Sequence, residues 1–295
     1  MEPAVHVIEI ALTPAIPDDA IGLPAALARL REEDPTLAYR ADPESQAFVL
    51  KATSEAHLED AIDRLLRDFG IRMTLGAPQV AFRETITKTV EYDYTHKKQT
   101  GAAGQFARVK IRFEPTARGS GFEFENAVVG GSMPREFVPG VEKGLRSALD
   151  TGIYAGYPTI DFKASLLDGA YHDVDSNVMT FEIASRACFR EGMAKAGPQL
   201  LEPIMRVEVV TPEEHMGDVI GDLNGRRGSI TGMEQRGDAR VIDAMVPFQE
   251  MLGYANRLAG MTGGRAESSL QFDHYAPIRN LDPPHPGAAI GLRIA

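Results

Sequence analysis

The stretch from Tyr94 to Phe113 reads Tyr-Thr-His-Lys-Lys-Gln-Thr-Gly-Ala-Ala-Gly-Gln-Phe-Ala-Arg-Val-Lys-Ile-Arg-Phe. It contains five Lys and Arg residues and no Asp or Glu, although the whole chain has a formal net charge of −11. Gly101 and Gly104 predict a turn near its middle, and the alternating apolar residues after the turn predict a strand. We therefore expect a β-hairpin with a cationic tip, which fits either a contact with phosphate groups or an ordinary solvated turn.

Upstream of this hairpin, the predicted order is strand, helix, strand, strand, helix, strand. One helix begins at Pro17 and stops at Asp34-Pro35, and a second is capped by Ser54 and ends at Gly70. The predicted strands are 4–12, 37–40, 47–51 and 71–75. A βαββαβ chain folds as a four-stranded antiparallel sheet with both helices on one face, so residues 1–76 are predicted to form a ferredoxin-like domain.

Residues 200–277 repeat this order without obvious sequence similarity. Arg236-Gly237-Asp238 predicts a tight turn between the two central strands. The predicted strands are 204–210, 229–235, 239–247 and 268–275, and the predicted helices are 212–224 and 249–262. The pattern therefore predicts a second ferredoxin-like domain.

The hairpin belongs to a middle domain predicted at residues 77–199, between breaks at Gly76-Ala77-Pro78 and at Gly197-Pro198 and Glu202-Pro203. Its predicted strands are 80–93, 106–114, 121–129 and 159–167, and its predicted helices are 134–150 and 177–196. The proline-rich residues 278–295 are predicted to be a disordered tail. The expected fold class is α+β, with two ferredoxin-like domains flanking a middle α+β domain.

Composition indicates where the protein works. Cys188 is the single cysteine, so no intramolecular disulfide can form, and a reducing compartment fits. It falls on the apolar stripe of a predicted helix, where a core residue is expected rather than a nucleophile. The N-terminus lacks the features of a signal peptide, and no segment approaches the roughly 20 apolar residues that span a bilayer. We expect a cytoplasmic protein that does not contact membranes.

A second polar segment, residues 168–176, reads Asp-Gly-Ala-Tyr-His-Asp-Val-Asp-Ser. It could bind a metal ion, because Asp173-x-Asp175-x-Asn177 begins like a calcium-binding loop. The glycine and the terminal glutamate that complete such a loop are missing, which makes this interpretation weak.

Two other interpretations of the same segment remain. His172 with Asp173 or Asp175 could perform acid–base chemistry, although no nucleophile lies at a recognisable spacing. Alternatively, Asp175 or Ser176 caps the following helix and the loop displays His172 at its apex.

These two polar segments resemble the tip loops of domain IV of bacterial elongation factor G. The resemblance is carried by His-Lys-Lys-Gln-Thr-Gly-Ala-Ala-Gly-Gln-Phe at 96–106 and by Gly-Ala-Tyr-His-Asp-Val-Asp-Ser at 169–176. Gly-Ala-Pro-Gln-Val-Ala-Phe-Arg-Glu-Thr at 76–85 resembles the entry to that domain.

The resemblance continues in the third predicted domain. Leu-Leu-Glu-Pro-Ile-Met-Arg-Val-Glu at 200–208 resembles the entry to domain V of that family, and Gly-Asp-Val-Ile-Gly-Asp-Leu-Asn-Gly-Arg-Arg-Gly at 217–228 resembles its first helix. The match covers about residues 3–277. It implies domains III, IV and V of a translocation factor, with a ribosomal-protein-like fold and protruding tip loops in the middle domain.

The resemblance also implies that the chain is a monomer and that its partners are the ribosome, tRNA and mRNA. In the family, GTP and Mg belong to an N-terminal domain that is expected to be absent here. No Gly-x-x-x-x-Gly-Lys-Ser/Thr motif occurs in the sequence, so we expect no enzyme activity, cofactor or metal in this chain. Domain IV would reach into the decoding site of the small subunit, and domain V would pack near the stalk base of the large subunit.

Carried over by motif, His172 is the apex residue that points at the tRNA–mRNA duplex, and Gln99 is its neighbour on the other loop. Lys97 and Lys98 would contact phosphates without reading sequence. The other residues implied to contact the decoding site, where glycines keep the backbone close to RNA, are Thr100, Gly101, Gly104 and Asp173.

Two further pairs of residues have expected roles. Arg226 and Arg227 lie at a predicted helix end between two glycines. They fit either a contact with rRNA phosphates or a solvated pair favoured by the helix dipole. By resemblance, Glu55 and His57 belong to an interdomain relay in domain III.

The sequence departs from the family at two places. Ala102 stands where the tip of the family has a second glycine. Residues 52–59 read Ala-Thr-Ser-Glu-Ala-His-Leu-Glu where the family has Gly-Met-Gly-Glu-Leu-His-Leu-Glu, so both glycines are replaced. The replacement has little consequence if the backbone at 52–56 adopts ordinary strand or helix dihedral angles.

The expected function is promotion of tRNA–mRNA translocation by insertion of the tip into the decoding site. The alternatives are a GTPase-free protein that occupies or protects the ribosome, and a drifted paralogue of the factor. A hydrolase using His172, Asp173 and Asp175 would instead require a concave pocket around these residues, and a purely structural fragment would not bind ribosomes.

Overall fold

The computed structural model describes residues 4–41, 47–100, 103–153 and 155–278, with the backbone alone at residues 100 and 103. These residues form two compact units. Unit 1 contains residues 4–81 and 202–276, and unit 2 contains residues 82–201 with 277 and 278. The predicted first and third domains therefore share unit 1, and the division into three domains stays a prediction. Residues 279–295 of the predicted tail lie outside the described residues.

The N-terminal part of unit 1 is a helix-and-sheet layer. Its elements are β1 (Ile8–Pro14), α1 (Pro17–Glu33), β2 (Ala38–Ala41), β3 (Phe48–Ala52), α2 (Glu55–Arg67), β4 (Met73–Leu75) and the short β5 (Gln79–Val80). The strands are antiparallel in the order β2-β3-β1-β4, and β5 also pairs with β1. This is the predicted ferredoxin-like arrangement, which is confirmed.

The cap of α2 is as the sequence predicts. The Ser54 hydroxyl accepts a hydrogen bond from the backbone N–H of His57 at 3.2 Å, which satisfies one of the free donors at the start of the helix. Gly70, three residues after the end of α2, has a φ of 67°, a value that glycine adopts without strain.

Unit 2 is a four-stranded sheet with two helices. Its elements are β6 (Arg83–Ile86), β7 (Val90–Thr100), β8 (Ala103–Pro115), β9 (Phe122–Asn126), α3 (Val138–Ala148), β10 (Phe162–Ala170) and α4 (Val178–Lys195), with short 3-10 turns at Arg135–Phe137 and Leu149–Thr151. The sheet order is β7-β8-β10-β9, antiparallel except for the parallel pair of β9 and β10.

The core of unit 2 lies between this sheet and its helices. Phe113 on β8, Phe162 on β10 and Phe189 on α4 form a buried aromatic group, with ring centroids 5.8–6.5 Å apart. Cys188 is fully buried beside it, and this burial raises the pKa of its thiol. The predicted core position of Cys188 is confirmed, and a role as nucleophile has no support.

One predicted strand of unit 2 is wrong. The sequence predicts a single strand at 80–93, but the structure has β5, β6 and β7 with a break before Val90. At this break the backbone N–H groups of Thr87 and Lys88 donate to the Ala196 carbonyl, and the Thr87 hydroxyl donates to the Gly197 carbonyl. The chain therefore leaves the strand to pair with a segment about 110 residues away.

The C-terminal part of unit 1 forms the second ferredoxin-like sheet. Its elements are most of β11 (Pro198–Pro212), then α5 (Met216–Gly225), β12 (Ser229–Arg236), β13 (Ala239–Pro247), α6 (Phe248–Met251), α7 (Tyr254–Thr262) and β14 (Glu267–Pro277), with a 3-10 turn at Glu213–His215. The strand order is β12-β13-β11-β14, which repeats the order of the first sheet. Within unit 2, the first four residues of β11 pair with β6.

Three predicted boundaries differ from the structure. The predicted break at Glu202-Pro203 lies inside β11. The helix predicted at 249–262 is two helices because Gly253 adopts a left-handed φ of 67°. The strand predicted at 159–167 begins only at Phe162, after Asp161 with a φ of 58°, and it continues to Ala170.

Candidate nucleic-acid interface

The two polar loops, remote in sequence, meet at one end of unit 2. In the β7–β8 hairpin, Gln99 pairs with Gly104 next to the turn. The loop between β10 and α4 reaches the same turn, because the Phe106 N–H donates to the Asp175 carbonyl at 2.9 Å and the Ser176 hydroxyl donates to the Phe106 carbonyl at 2.6 Å. We call this end of unit 2 the tip, comprising residues 96–100, 103–106 and 171–177.

Gly104 permits the contact between the two loops. A Cβ atom at this position would lie 2.6 Å from Cγ and Oδ1 of Asp175, closer than real Cβ contacts occur. These atoms are the end of the Asp175 side chain, so a side chain at residue 104 would displace this carboxylate from its position near Nδ1 of His172. The family resemblance implied that Gly104 keeps the backbone close to RNA, and this contact within the protein was not predicted.

The loop at 171–177 holds His172 in a defined position. The His172 N–H donates to the Ser176 hydroxyl at 2.8 Å, and the Ser176 N–H donates to the His172 carbonyl at 3.0 Å. Nδ1 of the ring lies 3.3 Å from a carboxylate oxygen of Asp175, and 60% of the side chain is exposed. The imidazole is therefore exposed to solvent, while its Nδ1 atom faces the Asp175 carboxylate.

The helix that follows this loop has a cap that was not predicted. The Asn177 side chain accepts a hydrogen bond from the Thr180 N–H at 2.9 Å. The predicted cap at Asp175 or Ser176 is wrong, because both of these residues bind the hairpin instead.

The positive charge of the hairpin is concentrated at its tip. Farther down β8, Arg108 forms ion pairs with Asp93 on β7 and Asp168 on β10. The Asp93 contact is the larger cause of the raised pKa of this guanidinium. Arg108 is therefore neutralised within the sheet.

The same holds for the next two cations. Lys110 and Arg112 both pair with Glu91, at 3.0 and 2.7 Å. Among the described residues, Lys97 and Lys98 have no carboxylate partner, and both are exposed. A stretch that appears uniformly basic in the sequence thus presents two free cations, both at the tip.

The other predicted tip residues are placed as follows. Gln99 and Asp173 are exposed, and below them His96 contacts Gln105 through Nε2 and Oε1 at 3.0 Å. Thr100 ends β7, and its side chain lies outside the described residues, as do Gly101 and Ala102.

A recess adjoins His172 and Asp173, as the hydrolase alternative requires, but the hydrogen bonds at the tip do not fit acid–base chemistry. The hydroxyl beside His172 is that of Ser176, and it donates to a backbone carbonyl rather than to an imidazole. In the described ranges, no group of three His, Cys, Asp or Glu side chains could hold a metal ion. No helix of these ranges is long and apolar enough to cross a bilayer.

The two predicted rRNA-contacting arginines are engaged within unit 1. Arg226 pairs with Asp222 at 2.6 Å, donates to the Glu250 carbonyl, and covers the ring of Tyr254 at 5.0 Å. Only 19% of its side chain is exposed. Through these contacts, Arg226 holds the end of α5 against the start of α7.

Arg227 has a similar position. Its guanidinium binds both carboxylate oxygens of Glu202, at 3.1 and 2.7 Å, and Glu250 at 3.0 Å. The bond to Glu202 is the main reason that its pKa is raised. The proposed phosphate contact of Arg226 and Arg227 stays a prediction, and these ion pairs do not favour it.

The two predicted relay residues both have partners in unit 1. The Glu55 carboxylate accepts the backbone N–H of Gly253 at 2.9 Å and so joins the start of α2 to the start of α7. His57 is hydrogen-bonded to Asp34 at 2.9 Å and to the Thr53 hydroxyl at 2.9 Å. Their relay function stays a prediction.

The two glycines replaced at 52–59 have no visible backbone consequence. Ala52 ends β3, Ser54 has an extended φ of −158°, and Glu55 begins α2. Among the described residues other than glycine, only Asp161 and Arg227 have positive φ values. The backbone at this segment therefore suits ordinary residues, and the replacement of the two glycines has little consequence here.

The described residues form two ferredoxin-like sheets and an α+β unit that ends in two paired polar loops. Three family models match in sequence along the chain. They are "Elongation Factor G, domain III" at residues 4–77, "Elongation factor G, domain IV" at 78–197 and "Elongation factor G C-terminus" at 199–283.

Individual relatives agree. The chain is 55% identical over 272 residues to elongation factor G of Paracoccus denitrificans (strain Pd 1222) and 54% identical to that of Orientia tsutsugamushi (strain Ikeda). A crystal structure of a Thermus thermophilus protein matches with a TM-score of 0.73 and 40% identity, covering 96% of this chain and 42% of that one. The chain belongs to the elongation factor G family.

The chain matches only part of the length of each of these relatives. The matched segment covers 92% of this chain but 38% of the length of the two curated relatives.

Proposed function

We propose that the chain is the ribosome-binding C-terminal portion of an elongation factor G, and that it promotes tRNA–mRNA translocation by inserting the tip into the decoding site. One observation carries the proposal: the hairpin and the His172 loop are hydrogen-bonded together at one exposed end of unit 2 through Phe106, which pairs with Asp175 and Ser176. Family membership supplies the ribosome as the partner.

The chemistry of the tip suits this task. A factor that acts on every codon needs a fixed shape and contacts that do not depend on base sequence. Lys97 and Lys98 supply salt-dependent attraction to phosphates. Gln99 and His172 supply exposed hydrogen-bonding groups beside them. No covalent step by the tip is required.

The rest of the proposal follows the family. Residues 1–76, 77–199 and 200–277 would correspond to domains III, IV and V, with the last near the stalk base of the large subunit. GTP and Mg would be bound by an N-terminal part of the factor outside the matched segment. Action on the ribosome would place this monomeric chain in the cytoplasm.

The proposal is tested in a chimaera in which this chain replaces the matching segment of the Paracoccus denitrificans factor. His172→Ala and Gln99→Asp are each expected to slow single-round translocation about tenfold, which corresponds to roughly 1.4 kcal/mol of transition-state stabilisation. Ribosome-stimulated GTP hydrolysis is expected to stay near that of the unmodified chimaera, because neither residue belongs to the nucleotide site.

Glu123→Ala is the matched control. Glu123 is exposed at the start of β9, at the end of the sheet opposite the tip, and its replacement is expected to leave translocation unchanged. Parallel loss of translocation and GTP hydrolysis in the tip variants would contradict the assignment.

A further inference from the structure

An open recess adjoins the His172 loop in unit 2. It has a volume of about 410 Å³, which exceeds what a single nucleobase needs. The residues that matter for its chemistry are Glu136, Phe137, Tyr171, His172, Asp173 and Val178.

The aromatic wall of the recess is held rigidly by the core. Phe137 stacks on the buried Phe181 with ring centroids 4.8 Å apart and an interplanar angle of 16°. Tyr171 packs on Phe137 at 5.9 Å, and 42% of its surface remains exposed. A ring that is fixed on one side and open on the other is a ready stacking surface for another flat group.

The polar groups of the recess are hydrogen-bond acceptors without partners. Within the described part of the chain, the carboxylates of Glu136 and Asp173 form no ion pair and no hydrogen bond, and the Tyr171 hydroxyl has none. Elsewhere in unit 2, carboxylates such as Glu91 and Glu182 are paired with cations. Both carboxylates are exposed, so they are available to a flat ligand that offers hydrogen-bond donors beside the ring of Tyr171.

We propose that this recess binds an unpaired nucleobase, stacked on Tyr171, with its Watson–Crick edge directed at Glu136 and Asp173. Guanine is the base that fits, because its edge carries two adjacent donors, N1–H and the N2 amino group, which a carboxylate can accept together. A phosphate does not fit, because both carboxylates repel it. The inference rests on the proposed function, since it assigns the tip a base contact beside its phosphate contacts.

The test compares two labelled RNA stem-loops by fluorescence anisotropy at low salt. One has an apical loop of uridines, and the other has a single guanosine at the centre of that loop. The whole chain is expected to bind the guanosine loop at least about fivefold more tightly, because guanine presents two adjacent donors to the carboxylates whereas uracil presents one.

Variants separate the contributions to this ratio. Tyr171→Leu, and Glu136→Gln combined with Asp173→Asn, are expected to bring the ratio of the two affinities close to one. Tyr171→Phe keeps the ring and is expected to preserve it. Glu123→Gln removes an exposed carboxylate far from the recess and should leave the ratio unchanged.

The failure of this inference is distinct from failure of the proposed function. Equal affinity of the unmodified chain for the two loops, absence of binding to both, or a ratio that survives in Tyr171→Leu would overturn the recess assignment. Sedimentation of the same chain with ribosomes measures the proposed function independently. Circular dichroism of each variant verifies that it is folded.

Discussion

Gly104 contributes to the packing of the two tip loops. Its missing side chain leaves the space that the Asp175 carboxylate occupies. Gly104→Ala is expected to lower the free energy of unfolding by about 1 kcal/mol, because the added methyl group displaces this carboxylate from its position near His172. Urea denaturation of the whole chain measures this change.

Gly260→Ala is the control, because it adds a methyl group at a glycine that has space for one. Gly260 lies within α7, and a Cβ atom there would meet nothing within 4 Å. This variant is expected to gain about 0.5–1 kcal/mol from helix propensity. A Gly104→Ala protein as stable as the unmodified chain would show that the loops are not held by this contact.

Glu84 is a second residue with a measurable structural role. It is fully buried, and its carboxylate accepts backbone N–H groups from Ile153 at 2.6 Å, Ala155 at 2.9 Å and Tyr157 at 2.9 Å. Glu84→Gln is expected to cost about 1–3 kcal/mol of unfolding free energy, because an amide nitrogen would face donors that then lack an acceptor.

Thermal and urea unfolding check this expectation against Glu123→Gln. Glu123 is exposed, so its replacement should change the unfolding free energy by less than about 0.5 kcal/mol. Equal stability of the two variants would mean that water replaces the lost acceptor at Glu84.

The sequence offered different information for different residues. Ser54 was recognisable as a helix cap because its partner is three residues away in the chain. Glu84 was not recognisable, because its partners lie about 70 residues away and a single glutamate in a strand carries no local pattern. Local partners can be read from a sequence, whereas remote partners require the fold.

Between elements, the link from α1 to α2 is expected to be pH-dependent. Asp34 follows the end of α1 and bonds to His57 in the first turn of α2 at 2.9 Å. Burial acts to raise the pKa of the Asp34 carboxyl, but hydrogen bonds from Thr36 and His57 lower the pKa overall, below its ordinary value of 3.8.

The sign of the effect follows from the lowered pKa. A carboxyl whose pKa is lower in the folded state stabilises the fold at pH values above its unfolded pKa, and this contribution disappears as the pH falls through the folded value. Asp34→Asn is therefore expected to be less stable than the unmodified chain at pH 7, with the difference shrinking below about pH 4. Urea unfolding at both pH values measures the difference, and a difference independent of pH would contradict the assignment.

At the level of elements, periodicity in the sequence was informative. Alternating apolar residues and helical stripes predicted both ferredoxin-like sheets, which are confirmed. The errors occurred where a distant segment decides the geometry, as at Thr87 with Ala196, or where one glycine leaves the helical region, as at Gly253. The periodicity of apolar residues alone does not reveal where a strand or a helix is interrupted in this way.

In the whole molecule, the meeting of the two tip loops could be expected only from the family resemblance. Nothing in the spacing of residues 96–106 and 171–177 indicates contact, and the structure shows it through Phe106 and Asp175. The sequence also overstated the basic character of the hairpin, since Arg108, Lys110 and Arg112 are neutralised by neighbouring strands. Such cross-strand pairing depends on register, which composition does not show.

The central claim, that the tip enters an RNA site, is tested most directly by the salt dependence of ribosome binding. The logarithm of the binding constant is plotted against the logarithm of salt concentration for the whole chain and for Lys97→Ala combined with Lys98→Ala. A control removes two exposed cations at the opposite end of the hairpin, through Lys88→Ala with Arg118→Ala. The account predicts that the slope for the tip variant is shallower by about 1–2 and that the control is unchanged. An unchanged slope in the tip variant, or an equal change in the control, would contradict it.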